Sequence, residues 1–120
     1  MKIVLSGSNS GLPSLEDPEN FGSFGVFFLD SVNEIDENAF MTVFAEAISS
    51  KEIWVRISEL KRLVPKEALD RGWEDHFSQM IKYASTKGWV SNDGCFVKAH
   101  VVRLPLVEHI NWFLLGNVWG

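Results

Sequence analysis

Cys95-Phe96-Val97-Lys98-Ala99-His100-Val101-Val102-Arg103 is the stretch whose reading decides the fold. β-Branched and aromatic residues dominate it, and the turn signal Asn92-Asp93-Gly94 precedes it, so it reads as a strand. Successive side chains of a strand point to opposite faces. Val97, Ala99 and Val101 therefore share an ordinary core face, and Cys95 is expected there too, as a buried small hydrophobe. Phe96, Lys98, His100 and Val102 share the other face, which mixes a ring, two polar groups and an aliphatic. Function is expected on that second face.

On the N-terminal side, Trp89-Val90-Ser91 and the same turn complete a hairpin with this strand. Before it, residues 73–87 read as a helix. Trp73, Phe77, Met80, Ile81 and Ala84 make its apolar stripe, and Gly88 is a fitting stop. His76, Gln79 and Tyr83 lie along one flank at helical spacing, where they can border a pocket. Residues 65–72 read as a further helical turn or loop. Residues 58–64 read as a short helix capped by Ser58 and ended by Pro65. In residues 52–57, Ile53, Val55 and Ile57 alternate with Trp54 and Arg56, the pattern of a half-buried strand. Residues 38–49 read as a helix on the stripe Phe40, Val43, Phe44, Ala47 and Ile48. Ser31 or Asn33 supplies a cap signal just upstream. Residues 24–30, Phe-Gly-Val-Phe-Phe-Leu-Asp, carry bulk on both faces, as a central strand does. Residues 1–23 read as an irregular segment in which Lys2 to Ser6 can form a short strand.

On the C-terminal side, residues 104–120 are an apolar tail with Glu108 as the one formal charge. Pro105 and Gly116 fit the ends of a helix, with Leu106, Ile110, Phe113 and Leu114 on one face; a strand from Leu106 to Leu114 fits as well. Trp112, Phe113, Leu114, Leu115, Val118 and Trp119 are too much apolar surface for water, so the tail is expected to pack on the domain or on a second copy.

The 120 residues suggest a single domain, long enough to bury a core. A net charge of −5 disfavours nucleic acid as a partner, since phosphate binding needs a basic stripe. The N-terminal apolar run is too short for a signal peptide, and no apolar stretch spans a bilayer. A lone cysteine excludes an internal disulfide framework. The expectation is a cytoplasmic protein with no membrane partner.

Two stretches resemble known motifs. Ser6-Gly7-Ser8-Asn9-Ser10-Gly11-Leu12 after a strand resembles the glycine-rich turn of short-chain dehydrogenases, with Asp30 near the place of a ribose-binding acid. A dinucleotide site, however, needs a helix directly after the glycines. Pro13 and Pro18 break up that segment, and the chain is short for the fold. Ser58-x-x-Lys61 is similar in spacing to the nucleophile motif of penicillin-binding enzymes, but its companion motifs are missing. Asp30, Glu34, Asp36 and Glu37 lack the spacing and glycine of a calcium loop, and acids at a helix start are explained by its dipole. No metal and no cofactor are expected.

These elements predict an α+β fold: a ferredoxin-like two-layer sandwich with a mainly antiparallel sheet and helices on one face. The open sheet face then carries Trp54, Arg56, Phe96, Lys98 and His100. There Arg56 and Lys98 can hold an anion, Trp54 and Phe96 an aromatic ligand, and His100 is the candidate catalytic proton carrier. His76 and Tyr83 complete the candidate ligand-binding set. The expected function is small-molecule binding, or cofactor-independent proton transfer of isomerase or cyclase type, in a homodimer. The alternative is an acidic protein-interaction module, such as an immunity or inhibitor protein, steered to a basic partner by residues 30–37.

Overall fold

The computed structural model describes residues 1–7, 12–29 and 31–104. Along the chain they form β1 (Lys2–Leu5), β2 (Ser14–Glu16), β3 (Gly25–Leu29), α1 (Glu34–Val43), β4 (Ala45–Ala47) and β5 (Glu52–Arg56). Then come α2 (Ile57–Arg62), α3 (Lys66–Asp70), α4 (Trp73–Thr86) and β6 (Phe96–Leu104). The strands make one six-stranded sheet in the order β2-β1-β3-β6-β5-β4.

The fold is α+β, but the sheet is mixed and departs from the antiparallel ferredoxin-like plan. β1, β3 and β6 run parallel, while β2, β5 and β4 join antiparallel at the two sides. The chain between β3 and β6 carries all four described helices, and a long crossover of this kind is what a parallel pair requires. The N-terminal segment that reads as irregular contributes β1 and β2.

Sheet register follows the alternation of the sequence. Ile53 and Val55 of β5 lie opposite Ala99 and Val97 of β6, and all four are buried in the main core. The same cluster holds Phe40, Leu60, Ala68, Trp73, Phe77, Met80 and Ala84, so each described helix contributes at least one buried side chain to this one face. β3 is central, between β1 and β6, and loads both faces. Val26 and Phe28 enter the main core, and Phe27 joins Val4 and Leu104 in a second cluster on the other side.

Four local expectations change. First, α1 begins at Glu34 and ends at Val43, rather than running through 38–49. Asn33 caps it, its side-chain oxygen accepting from the Asp36 N–H at 2.8 Å. Ala45–Ala47 leaves the helix to pair with β5, so of the expected stripe only Phe40 is buried along the helix, and Val43 and Ile48 are exposed. Second, Ile57 is not the last residue of a strand but the first of α2. Third, Ser58 makes no cap: Arg56 holds the N-cap position, without a side-chain bond to the helix. Fourth, Cys95 is exposed, not buried. Its N–H donates to Asp93 Oδ1 at 3.0 Å, which places it in the turn, ahead of the strand. The tail beyond Leu104, with its competing helix and strand readings, lies outside the described residues.

Candidate functional site

The residues expected on the second sheet face do share it. Across β5 and β6, Trp54 lies opposite Lys98, Arg56 opposite Phe96 and Glu52 opposite His100. Lys98 Nζ sits 5.5 Å from the Trp54 ring centre and the Arg56 guanidinium 4.8 Å from that of Phe96. Arg56 Nε also donates to the Val43 carbonyl at 3.2 Å. The two cations thus lie over neighbouring rings, as cross-strand pairs on a half-buried surface do. On its other side His100 is opposite Gly25, and its Nδ1 is buried without a hydrogen-bond partner. His76 and Tyr83 are not part of this face. They stand on α4, across the sheet from His100.

There they line a cleft of about 470 Å³ with Phe21, Gly22, Gln79, Met80 and Trp89. Two local devices build it. At the start of α4, Trp73 is buried in the core and its Nε1–H donates to the Pro18 carbonyl at 2.7 Å. Arg71 Nε donates to Glu19 at 2.8 Å beside it. The segment before β3 is thereby pinned to the helix. Phe21 then packs at 6.0 Å, centre to centre, from both Trp73 and His76.

At the far end, Gly88 takes φ +76°, which favours glycine, and the chain closes a Schellman motif. The Trp89 N–H donates to the Ala84 carbonyl at 3.0 Å and the Gly88 N–H to the Ser85 carbonyl at 3.2 Å. This turn folds Trp89 back onto the helix, where it meets Tyr83 edge-on at 6.0 Å and 69°. One wall is therefore Phe21 and the other Tyr83 with Trp89. Met80 is part of the floor, and His76 and Gln79 add an imidazole and an amide to the lining. Lys87 Nζ, 5.6 Å from the Tyr83 ring centre, puts a positive charge at the Trp89 end.

Ligand clefts typically combine apolar and aromatic walls with a few polar groups. This one can stack a planar molecule and offer it one imidazole and one amide. Of its lining, the α4 flank of His76, Gln79 and Tyr83 is legible from helical spacing. Phe21 and Trp89 are not among the expected site residues. For Trp89 a signal was present: an aromatic directly after a helix-stopping glycine is placed to touch the last turn. Phe21 has none, because its position depends on Trp73 capturing Pro18 across 55 residues.

Among the described residues no group of His, Cys, Asp and Glu side chains is arranged to hold a metal ion, and no helix is long and apolar enough to cross a membrane. No protein-family model, curated protein or solved structure matches the chain.

Proposed function

We propose that the protein binds a small planar organic molecule in the cleft between α4 and the Phe21–Gly22 turn. The observation that carries this reading is the convergence of Phe21, Tyr83 and Trp89 around a cleft of about 470 Å³ that also holds His76 and Gln79. That volume is in the range of small-molecule sites, roughly 300–1,000 Å³. The sheet face is the weaker ligand site, since Arg56 and Lys98 already lie over Phe96 and Trp54. In this reading His76 orients the ligand through a ring nitrogen, and His100 stands apart. The test is an amide-shift titration of the ¹⁵N-labelled protein with quinoline as probe. Saturable shifts confined to residues 21–22, 76–83 and 89, weakened by Trp89→Ala, support the proposal. Shifts centred on Trp54, Lys98 and His100, or none, refute it.

A second reading, docking of a basic protein, has its own observation. Ile35 and Val43 lie on α1, eight residues apart, and are 80 % and 49 % exposed; Leu12, across a shallow groove from Val43, is 64 % exposed. Glu34 and Asp36 flank Ile35. Apolar anchors with a charged rim suit a steered encounter. Glu34→Lys with Asp36→Lys slows association with a basic partner at least tenfold under this reading and leaves quinoline binding unchanged.

A further inference from the structure

We infer that the planar molecule held in the α4 cleft is an aromatic carboxylate, lying with its carboxylate toward Lys87; the inference rests on the reading of that cleft as a small-molecule site. The chain is acidic overall, with 16 carboxylate side chains against 11 lysines and arginines. Its cations are largely engaged by that surplus: Lys61, Arg62, Arg71 and Arg103 each pair with a carboxylate. Lys87 pairs with none among the described residues, and its contact is with the Tyr83 ring, whose centre lies 5.6 Å from Nζ. None of the residues that line the cleft is acidic. The charge at the cleft is thus opposite in sign to that of the whole molecule, and such a local field favours an anion over a cation.

The two ends of the cleft differ, and the difference orients the ligand. At the His76 end stands Glu19, to which Arg71 Nε donates at 2.8 Å. Its carboxyl is held below the ordinary carboxylate value first by the hydrogen bond from Arg71 and last by His76. That end offers an incoming anion a carboxylate already paired, not an open cation. At the other end Lys87 follows Tyr83 by one helical turn, about 6 Å of rise, on the same side of the helix. A ring stacked between Phe21 and the wall of Tyr83 and Trp89 can therefore place a substituent within reach of the flexible lysine stem. The end of α4 does not oppose this. Open carbonyls at a helix C-terminus repel an anion. Here the Ala84 carbonyl accepts from the Lys87 and Trp89 N–H groups, both at 3.0 Å, and the Ser85 carbonyl from the Gly88 N–H at 3.2 Å. Lys87 also differs from Arg56, whose side chain donates to the Val43 carbonyl. The Lys87 ammonium makes no hydrogen bond among the described residues, so its three donors remain for a ligand.

The test titrates the ¹⁵N-labelled full chain at low ionic strength with quinoline, quinoline-6-carboxylate and quinoline-6-carboxamide, the last two alike in shape and different in charge. The carboxylate is expected to bind about two- to fivefold more tightly than the carboxamide, the range of an exposed ion pair. Added salt should close the gap. Lys87→Gln removes the preference, whereas Lys82→Gln, at a neighbouring lysine outside the cleft, keeps it. Equal affinities for the two probes, or a preference that survives Lys87→Gln, overturn the inference and leave the planar-ligand reading standing. Absence of saturable shifts at residues 21–22, 76–83 and 89 with all three probes overturns that reading, and the inference with it.

Discussion

Trp73→Phe tests the pin that sets the cleft. Trp73 is buried, it stacks on Phe77 at 4.5 Å and 13°, and its indole N–H bonds the Pro18 carbonyl at 2.7 Å. Phenylalanine keeps a ring for the stack but removes about three heavy atoms and the donor. A partly collapsed void of roughly 40 Å³ costs about 1 kcal/mol at 24 cal/mol per Å³. Leaving the part-buried Pro18 carbonyl without its partner costs about 1–3 kcal/mol more. The expected loss is therefore about 2–4 kcal/mol, a large share of the roughly 5–15 kcal/mol that holds a domain folded.

Urea unfolding followed by far-UV circular dichroism measures it, since fluorescence would mix five tryptophans. With a slope of about 2 kcal/mol/M, the midpoint falls by about 1–2 M. Tyr83→Phe, at an exposed position, is the control and changes stability by less than about 0.5 kcal/mol. A benzothienyl analogue at position 73, which keeps the shape and replaces the N–H by sulfur, isolates the hydrogen bond. Because the pin positions Phe21, quinoline affinity falls as well. A loss below about 1 kcal/mol for Trp73→Phe would show that the Pro18 contact does not hold the segment, and the reasoning for a preformed Phe21 wall would fail with it.

Gly7→Ala drives a new Cβ against the Ser31 carbonyl and strains the 2.8 Å bond from the Gly7 N–H to Ser31 Oγ; the expected loss is about 1–3 kcal/mol, and an unchanged urea midpoint refutes it. Arg103 grips Glu37 with both fork nitrogens, at 2.6 and 2.8 Å, and that carboxylate raises the pKa of the guanidinium. The pair is partly exposed, so a Glu37→Gln/Arg103→Gln double-mutant cycle should give a coupling of about 0.2–1 kcal/mol that shrinks with salt. A zero or salt-independent coupling counts against an ion pair between β6 and α1. The Ser91 hydroxyl, and then the Cys95 N–H, hold the Asp93 carboxyl below its ordinary value of 3.8. Because the folded-state pKa is depressed, the stabilisation of this turn is complete above the unfolded value and lost as pH falls through the folded one. An NMR titration midpoint for Asp93 at or above 3.8 contradicts this, and Asp93→Asn should flatten that part of the acid limb.

What was legible in the sequence was what repeats locally. The period of two in residues 52–57 and 95–103 assigned Ile53, Val55, Val97 and Ala99 to one face and Trp54, Arg56, Lys98 and His100 to the other, and the register agrees for these residues. The helical period over Trp73, Phe77, Met80 and Ala84 placed α4 correctly. Strand direction has no such period. β3 carries the same alternation whether its neighbour runs parallel or antiparallel, so the mixed sheet was not visible in it. Residues 44–48 failed for a related reason. Phe44, Ala47 and Ile48 continue a helical stripe, but pairing of Ala45–Ala47 with β5 gives those backbone groups partners that a helix would otherwise supply, and tertiary context overrides the local preference.

The candidate site shows the same division. A cleft made by one element is readable from spacing, as His76, Gln79 and Tyr83 are; a cleft made by several is readable only through the contacts that bring them together. Trp73 is such a contact. On the sequence it is one more core aromatic, and its indole nitrogen has no assigned purpose. In the fold that nitrogen fixes Pro18, Pro18 fixes the path of residues 19–22, and that path presents Phe21 to His76. The mixed sheet face illustrates the converse. Arg56, Phe96, Lys98 and Trp54 look like separate ligand-binding groups when read one at a time, yet the register pairs each cation with a ring. Polar and aromatic residues that alternate on facing strands satisfy one another first. On α4 and its flanking turns, no neighbouring strand is in register with the side chains, and His76, Gln79 and Tyr83 have no such cross-strand pairing.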